Sequence, residues 1–233
     1  MLCPYCNNDF KRELSRKIKC KKCGNFVFIR SVKGVKTPMT EEQKNNFDYI
    51  MSITPFGFTS IENISEIFEK EIKIAQKELF NEFGYKPSLN DSIWRALNNE
   101  LIKTLSNFEL GLFRNTKMFM ASVLCSDEKY LQALGFMIDV DILDVCGANN
   151  ISLKFQKRNE AFRQKFSFIA PAITQWIYKA KIFLKLTDNE FKNIFLTRFR
   201  QLKLSLPMLP LEEKYVFNKI INSLEDLEKN KNM

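Results

Sequence analysis

Hydrophobic positions recur at intervals of three and four through most of this chain. From Thr59 to Phe83 the series Ile61, Ile64, Ile67, Phe68, Ile72, Ala75, Leu79 and Phe83 leaves Glu and Lys between its members, the pattern of a helix with one apolar stripe. It predicts a single long amphipathic helix. Leu89, Ile93, Leu97, Leu101 and Leu105 then step by four behind Ser88 and Asp91, a helix-opening pair. Further helices are expected over 109–124, 127–145, 151–166 and 169–186, the last tolerating Pro171 in its first turn. Thr187 and Glu190 are placed as a capping box before FKNIFLTRFRQLKL, Pro207 to Pro210 interrupt the chain, and a final helix is expected over 211–228.

The front of the chain has a different rhythm. In NFVFIR, Phe26, Phe28 and Arg30 alternate with Val27 and Ile29, the period of a short strand. Ser31 to Gln43 carries Gly34, Pro38 and no apolar period, so it reads as a linker that ends in a helix start, with Thr40 and Gln43 placed as a capping box. The expected fold class is therefore mainly α: a small N-terminal β-hairpin domain at 1–37 joined to an all-α bundle of about eight or nine helices at 38–233. Composition agrees, because 22 Phe stand against only 7 Gly and 7 Pro, the residues that most often punctuate secondary structure.

What the hairpin is for emerges from CPYCNNDFKRELSRKIKCKKCG, in which Cys3 and Cys6 precede Cys20 and Cys23. A Cys-x-x-Cys turn points two sulfurs at one spot, and two such turns complete the tetrahedral thiolate set that Zn2+ prefers. Gly24 follows the last Cys, where a turn needs positive φ. A thioredoxin-like redox pair needs one motif at the mouth of a βαβ unit, which the surrounding pattern does not supply. We therefore expect a zinc ribbon whose metal is a condition of folding, since so short a segment buries little core of its own. With four thiolates bound, the ion keeps no open position and hydrolyses nothing.

Charge is partitioned along the chain. Residues 1–36 carry +8, 37–150 carry −7, 151–205 carry +9 and 206–233 carry −1. Lys21 and Lys22 offset the negative tetrathiolate, but the wider excess marks Lys11, Arg12, Arg16, Lys17, Lys19, Lys22 and Arg30 as candidates for DNA or RNA contact, with Tyr5, Phe10, Phe26 and Phe28 as aromatic neighbours. Those aromatics also suit the core of a small ribbon. The second basic block, from Lys154 to Lys203, either faces the acidic first half within the bundle or forms another phosphate-facing surface.

Other residue types narrow the function. The chain has no His, which removes imidazole from catalysis and from metal ligation. Asp139, Asp141 and Asp144 lack a companion acidic motif and are expected to be solvated carboxylates near a helix end. Cys125 and Cys146 read as small core residues, and Trp94 and Trp176 as packing residues. There is no glycine-rich phosphate loop, no run of about 18 apolar residues and no apolar leader segment. A cytoplasmic, non-enzymatic binding protein is expected.

The succession CPYC, basic spacer, CKKCG and VFIR resembles the zinc-ribbon opening of a group of bacterial proteins of uncharacterised function associated with prophages and mobile elements. NDSIWRALNNEL, with Asn90, Asp91 and Trp94 in order, is similar to the helical segment that follows in that group. The resemblance runs over roughly the first 145 residues and implies a ribbon followed by helices. Such proteins often carry a second Cys-rich cluster near the C-terminus, which this chain lacks, and the group implies no activity. Two functional expectations stand: a ribbon contacting nucleic acid while the helical domain docks a protein partner, or an adaptor whose ribbon meets an acidic protein surface.

Overall fold

The computed structural model describes residues 1–11, 16–32, 35–53, 57–148 and 167–231. It is mainly helical, with nine helices and one three-stranded sheet among the described residues. Two compact units emerge, Met1–Thr54 and Pro55–Met233.

In the first unit, β1 (Lys17–Lys19), β2 (Phe26–Val32) and β3 (Val35–Met39) form an antiparallel sheet in the order β1-β2-β3. The alternation in NFVFIR is realised: Val27 and Ile29 are buried while Phe26 and Arg30 face the other way. β3 occupies the stretch expected to be a linker. Pro38 hid it, yet β3 is an edge strand pairing only with β2, with Pro38 opposite Ile29, and an edge accommodates a residue without an N–H. The expected capping box then opens α1 (Glu41–Ile53): the Thr40 N–H donates to Gln43 Oε1 at 2.9 Å, and the Gln43 N–H to Thr40 Oγ1 at 3.1 Å. Arg30 of β2 grips Asp48 of α1 through Nε–Oδ1 at 2.8 Å and Nη2–Oδ2 at 3.0 Å. The expected boundary at residue 37 thus falls inside β3, and the compact unit extends to Thr54 because α1 packs on the sheet.

The second unit contains α2 (Ile61–Ile67), α3 (Glu69–Phe83), α4 (Leu89–Ser106), α5 (Leu110–Ser126), α6 (Tyr130–Cys146), α7 (Pro171–Phe183), α8 (Asp188–Ser205) and α9 (Glu213–Lys231). The long helix expected from 59 to 83 is broken at Phe68, whose φ of −112° and ψ of 27° leave helical geometry. The break seats the Phe68 ring edge-on against Phe119 of α5, centroids 5.6 Å apart, while Ile64 and Ile72 stay buried on either side. Ser88 caps α4 and Pro171 lies in the first turn of α7, as expected. Thr187 and Glu190 form the reciprocal capping box of α8. The helix expected over 151–166 lies outside the described residues.

The second unit packs around α6, which contacts α5, α7, α8 and α9. Every residue from Met137 to Cys146 is buried, the condition of a helix that is apolar on all sides. Trp176 is buried in this core, and Trp94 stands half-buried where it meets a second cluster built on α2, α3, α4 and α5. Cys125 and Cys146 are buried as expected, and burial pushes each thiol up to about 12. Among the described residues no helix is long and apolar enough to cross a membrane.

Candidate metal centre and basic strand face

The two Cys-x-x-Cys segments fold into the same turn twice. Cys3 N–H donates to Asn8 O at 2.9 Å and Asn7 N–H returns to Cys3 O at 2.9 Å; Cys20 N–H donates to Asn25 O at 2.8 Å and Gly24 N–H returns to Cys20 O at 2.8 Å. The residue after each second cysteine is left-handed, Asn7 at φ 53° and Gly24 at φ 74°. Glycine adopts that geometry without a Cβ clash, and Asn tolerates it. The sequence announced Gly24 by residue type; Asn7 is recognisable only by occupying the equivalent place. The second turn is also the connection between β1 and β2, so the strand pairing itself carries Cys20 and Cys23 to the site.

These turns bring the four sulfurs together. Cys3 Sγ lies 3.8 Å from Cys23 Sγ, Cys6 Sγ lies 3.7 Å from Cys20 Sγ, and all four fall within 4.8 Å of one another. A tetrahedral ion with metal–sulfur bonds of about 2.3 Å requires sulfur–sulfur edges of about 3.8 Å. The donor set therefore fits one metal ion of that size. Beneath it, Cys3 and Cys20 are buried with Val27 and Ile29, and Met1, Phe10 and Ile18 pack against them.

The thiols are not equivalent before an ion arrives. The Cys23 N–H, with help from that of Lys22, favours the Cys20 thiolate and brings it down to about 7 against the effect of burial. At Cys6 the Asn8 N–H acts in the same direction, but partial burial and the sulfurs of Cys23, Cys3 and Cys20 prevail and push the thiol up to about 12. Four crowded sulfurs share negative charge poorly until a cation neutralises it, so metal uptake expels protons.

The opposite face of the same strands is cationic. Lys17 pairs with Phe28 and Lys19 with Phe26 in the β1–β2 register, which places all four side chains on the face away from Ile18, Val27 and Ile29. Lys17 Nζ lies 4.2 Å from the Phe26 ring centroid and 5.1 Å from that of Phe28, and Lys19 Nζ lies 6.0 Å from Phe26. Phe26 is 47% exposed. Lys11, Arg16 and Lys22 are also exposed; Arg12 lies outside the described residues. Arg30, expected among the phosphate contacts, instead turns its guanidinium to Asp48 and to Ile29 O, and Arg30, with Lys44, holds the Asp48 carboxyl far below its usual range. Tyr5 is exposed with its hydroxyl accepting the Glu41 N–H at 3.0 Å, whereas Phe10 serves the cysteine core.

The carboxylates of α6 are not solvated, contrary to expectation: Asp139, Asp141 and Asp144 are all buried. A helix with no wet side gives them no access to water, so Asp139 and Asp144 take partners from other helices. Lys117 of α5 reaches Asp139 at 2.7 Å, and Arg198 of α8 holds the same carboxylate, through Nε at 3.0 Å and through Nη2. Arg114 of α5 grips Asp144 through Nε at 2.9 Å and Nη2 at 2.7 Å. Among the described residues Asp141 has no hydrogen-bond partner at either oxygen. Among the described residues these carboxylates form no metal cluster.

The second basic block is divided. Lys154, Lys157, Arg158, Arg163 and Lys165 lie outside the described residues. Of the remainder, Arg198 meets the acidic half through Asp139, whereas Lys181 pairs with Asp188 at 2.6 Å, Arg200 with Glu213 at 3.2 Å, and Lys203 donates to Leu209 O at 2.6 Å. Comparison of this chain with protein-family models, with curated proteins and with solved structures finds no match.

Proposed function

We propose that Cys3, Cys6, Cys20 and Cys23 hold one Zn2+ in a closed structural site, and that the ribbon so formed contacts nucleic acid while the helical unit docks a protein partner or self-associates. Four thiolates and no other donor type favour zinc. The reading is non-enzymatic, because a metal surrounded by four sulfurs offers no position to substrate. Reduced thiols at such a site suit the cytoplasm.

One observation carries the nucleic-acid reading: the cross-strand face on which Lys17 and Lys19 flank the exposed ring of Phe26. Lysines supply the salt-dependent attraction to phosphate, and an aromatic ring supplies a surface for a base. Lys11, Arg16 and Lys22 extend the positive charge within the same unit. Arg12 belongs to the proposal on its charge, and Arg30 is left out because its guanidinium is paired.

A salt titration tests it. Zinc-loaded protein is expected to bind a labelled oligonucleotide at low salt and to lose affinity along a log–log slope proportional to the phosphates contacted. Absence of any nucleic-acid binding at low salt overturns the reading and leaves an acidic protein surface as the ribbon's partner.

A further inference from the structure

We infer that the nucleic acid taken by the ribbon is a single strand, held by a base stacked on Phe26 with the neighbouring phosphates at Lys17 and Lys19. The inference rests on the nucleic-acid reading above and names its substrate class.

Phe26 is not needed for the ribbon's own core. Among the described residues that core consists of Cys3, Cys20, Val27 and Ile29, with Met1, Phe10, Ile18 and the other two cysteines packed around it, and Phe26 lies on the opposite face of its strand. Phe26 is 47% exposed at the sheet surface, which leaves the face of its ring open to a flat partner. Its neighbours are cations at 4.2 Å and 6.0 Å from the ring, within a nucleotide's reach of any base lying on it. At the other end of β2 the same face is closed by the Arg30–Asp48 pair to α1, so the open platform is the end that carries Phe26.

Duplex and single strand differ in what they offer such a platform. The bases of a duplex are stacked on each other, and a ring reaches their faces only by wedging a step apart. A single strand presents its base faces without that cost, and stacking on an aromatic is tolerant of sequence. Lys17 now covers part of the ring, but an exposed ammonium–ring contact is weaker than a stacked base, and the displaced ammonium gains a phosphate.

The test uses the full-length, zinc-loaded protein and fluorescence anisotropy with a labelled oligothymidylate and a blunt duplex of equal length at low salt. The single strand is expected to bind at least about tenfold more tightly than the duplex. Phe26→Ala is expected to weaken single-strand binding by about 5- to 100-fold and leave duplex binding unchanged. Phe26→Leu, which keeps apolar bulk without a π-face, is expected to lose affinity similarly, and Phe26→Trp to retain it. Lys17→Gln is expected to weaken both ligands and reduce the salt slope by about one. Measured zinc content confirms that each variant keeps its ribbon. Equal affinity for both ligands, or full single-strand affinity in Phe26→Leu, overturns this inference while the broader reading survives. Failure to bind either ligand overturns both.

Discussion

Asp141 has both carboxylate oxygens buried in the middle of α6, with no hydrogen-bond partner among the described residues. Burial raises its pKa from an ordinary 3.8 to about 7; the Asp144 carboxylate one turn on pushes in the same direction, and Arg114 of α5 pulls the other way. Because the folded value lies above the unfolded one, the folded state holds the proton more tightly, and the resulting stability is complete below about pH 4. It is lost as pH rises toward 7, once the unfolded chain has released its proton and the folded chain is made to follow. Asp141→Asn, neutral throughout, is expected to lack this fall. Thermal melts from pH 5 to 8 should show wild-type Tm declining more steeply than that of the variant, with parallel profiles refuting the burial argument. A residual slope from Asp144 is expected in both, since burial raises its pKa while Arg114 opposes the shift. The sequence did hold a clue to this buried set: in FMIDVDILDVC apolar residues surround every Asp. What it withheld was the partners, because Lys117, Arg114 and Arg198 lie 22, 30 and 59 residues away from the carboxylates they meet. The four cysteines were legible because their spacing is itself the geometry of the site.

Helix ends were readable for the same reason, that a cap is a local event. Thr40 with Gln43, Ser88 with Asp91 and Thr187 with Glu190 each place a side chain within a turn of the N–H it accepts. The break at Phe68 was not readable, since the apolar period runs through it and the Phe119 ring that Phe68 meets there lies far along the chain on α5. The same dependence on a distant partner governs the contact between α6 and α8. A Cβ added at Gly135 would stand 3.2 Å from Arg198 Cδ, tighter than ordinary contact. Arg198 is a flexible side chain, but it is anchored on Asp139 and stacked over Phe136, its guanidinium carbon 5.2 Å from the ring centroid, so it yields only by loosening a buried ion pair. Gly135→Ala gains about 0.5–1 kcal/mol of helix propensity, yet overpacking costs about 1–3 kcal/mol. A net loss of stability in denaturant unfolding is expected. A stabilised variant would show that Arg198 moves aside without cost.

The two units hold their interiors together by different means, and metal removal separates them. The second unit has an extensive apolar core centred on α6, whereas among the described residues of Met1–Thr54 the buried hydrophobic set is Cys3, Cys20, Val27 and Ile29. Two of those four are proposed metal ligands, so binding energy at the thiolates stands in for the missing apolar burial. A chelator under reducing conditions is therefore expected to unfold residues 1–54 and leave the helical unit folded. Both tryptophans of the chain, Trp94 and Trp176, belong to the second unit, which makes their emission a reporter of that unit alone. On chelation, indole fluorescence should hold its wavelength and most far-UV helical signal should persist, while proteolysis opens sites in the first 54 residues. Cys20→Ser should reproduce the chelated state without chelator. Calorimetry should then resolve two transitions, of which only one shifts with added zinc. A single transition that moves as a whole, carrying the tryptophan signal with it, would show instead that the helical core depends on the ribbon's metal.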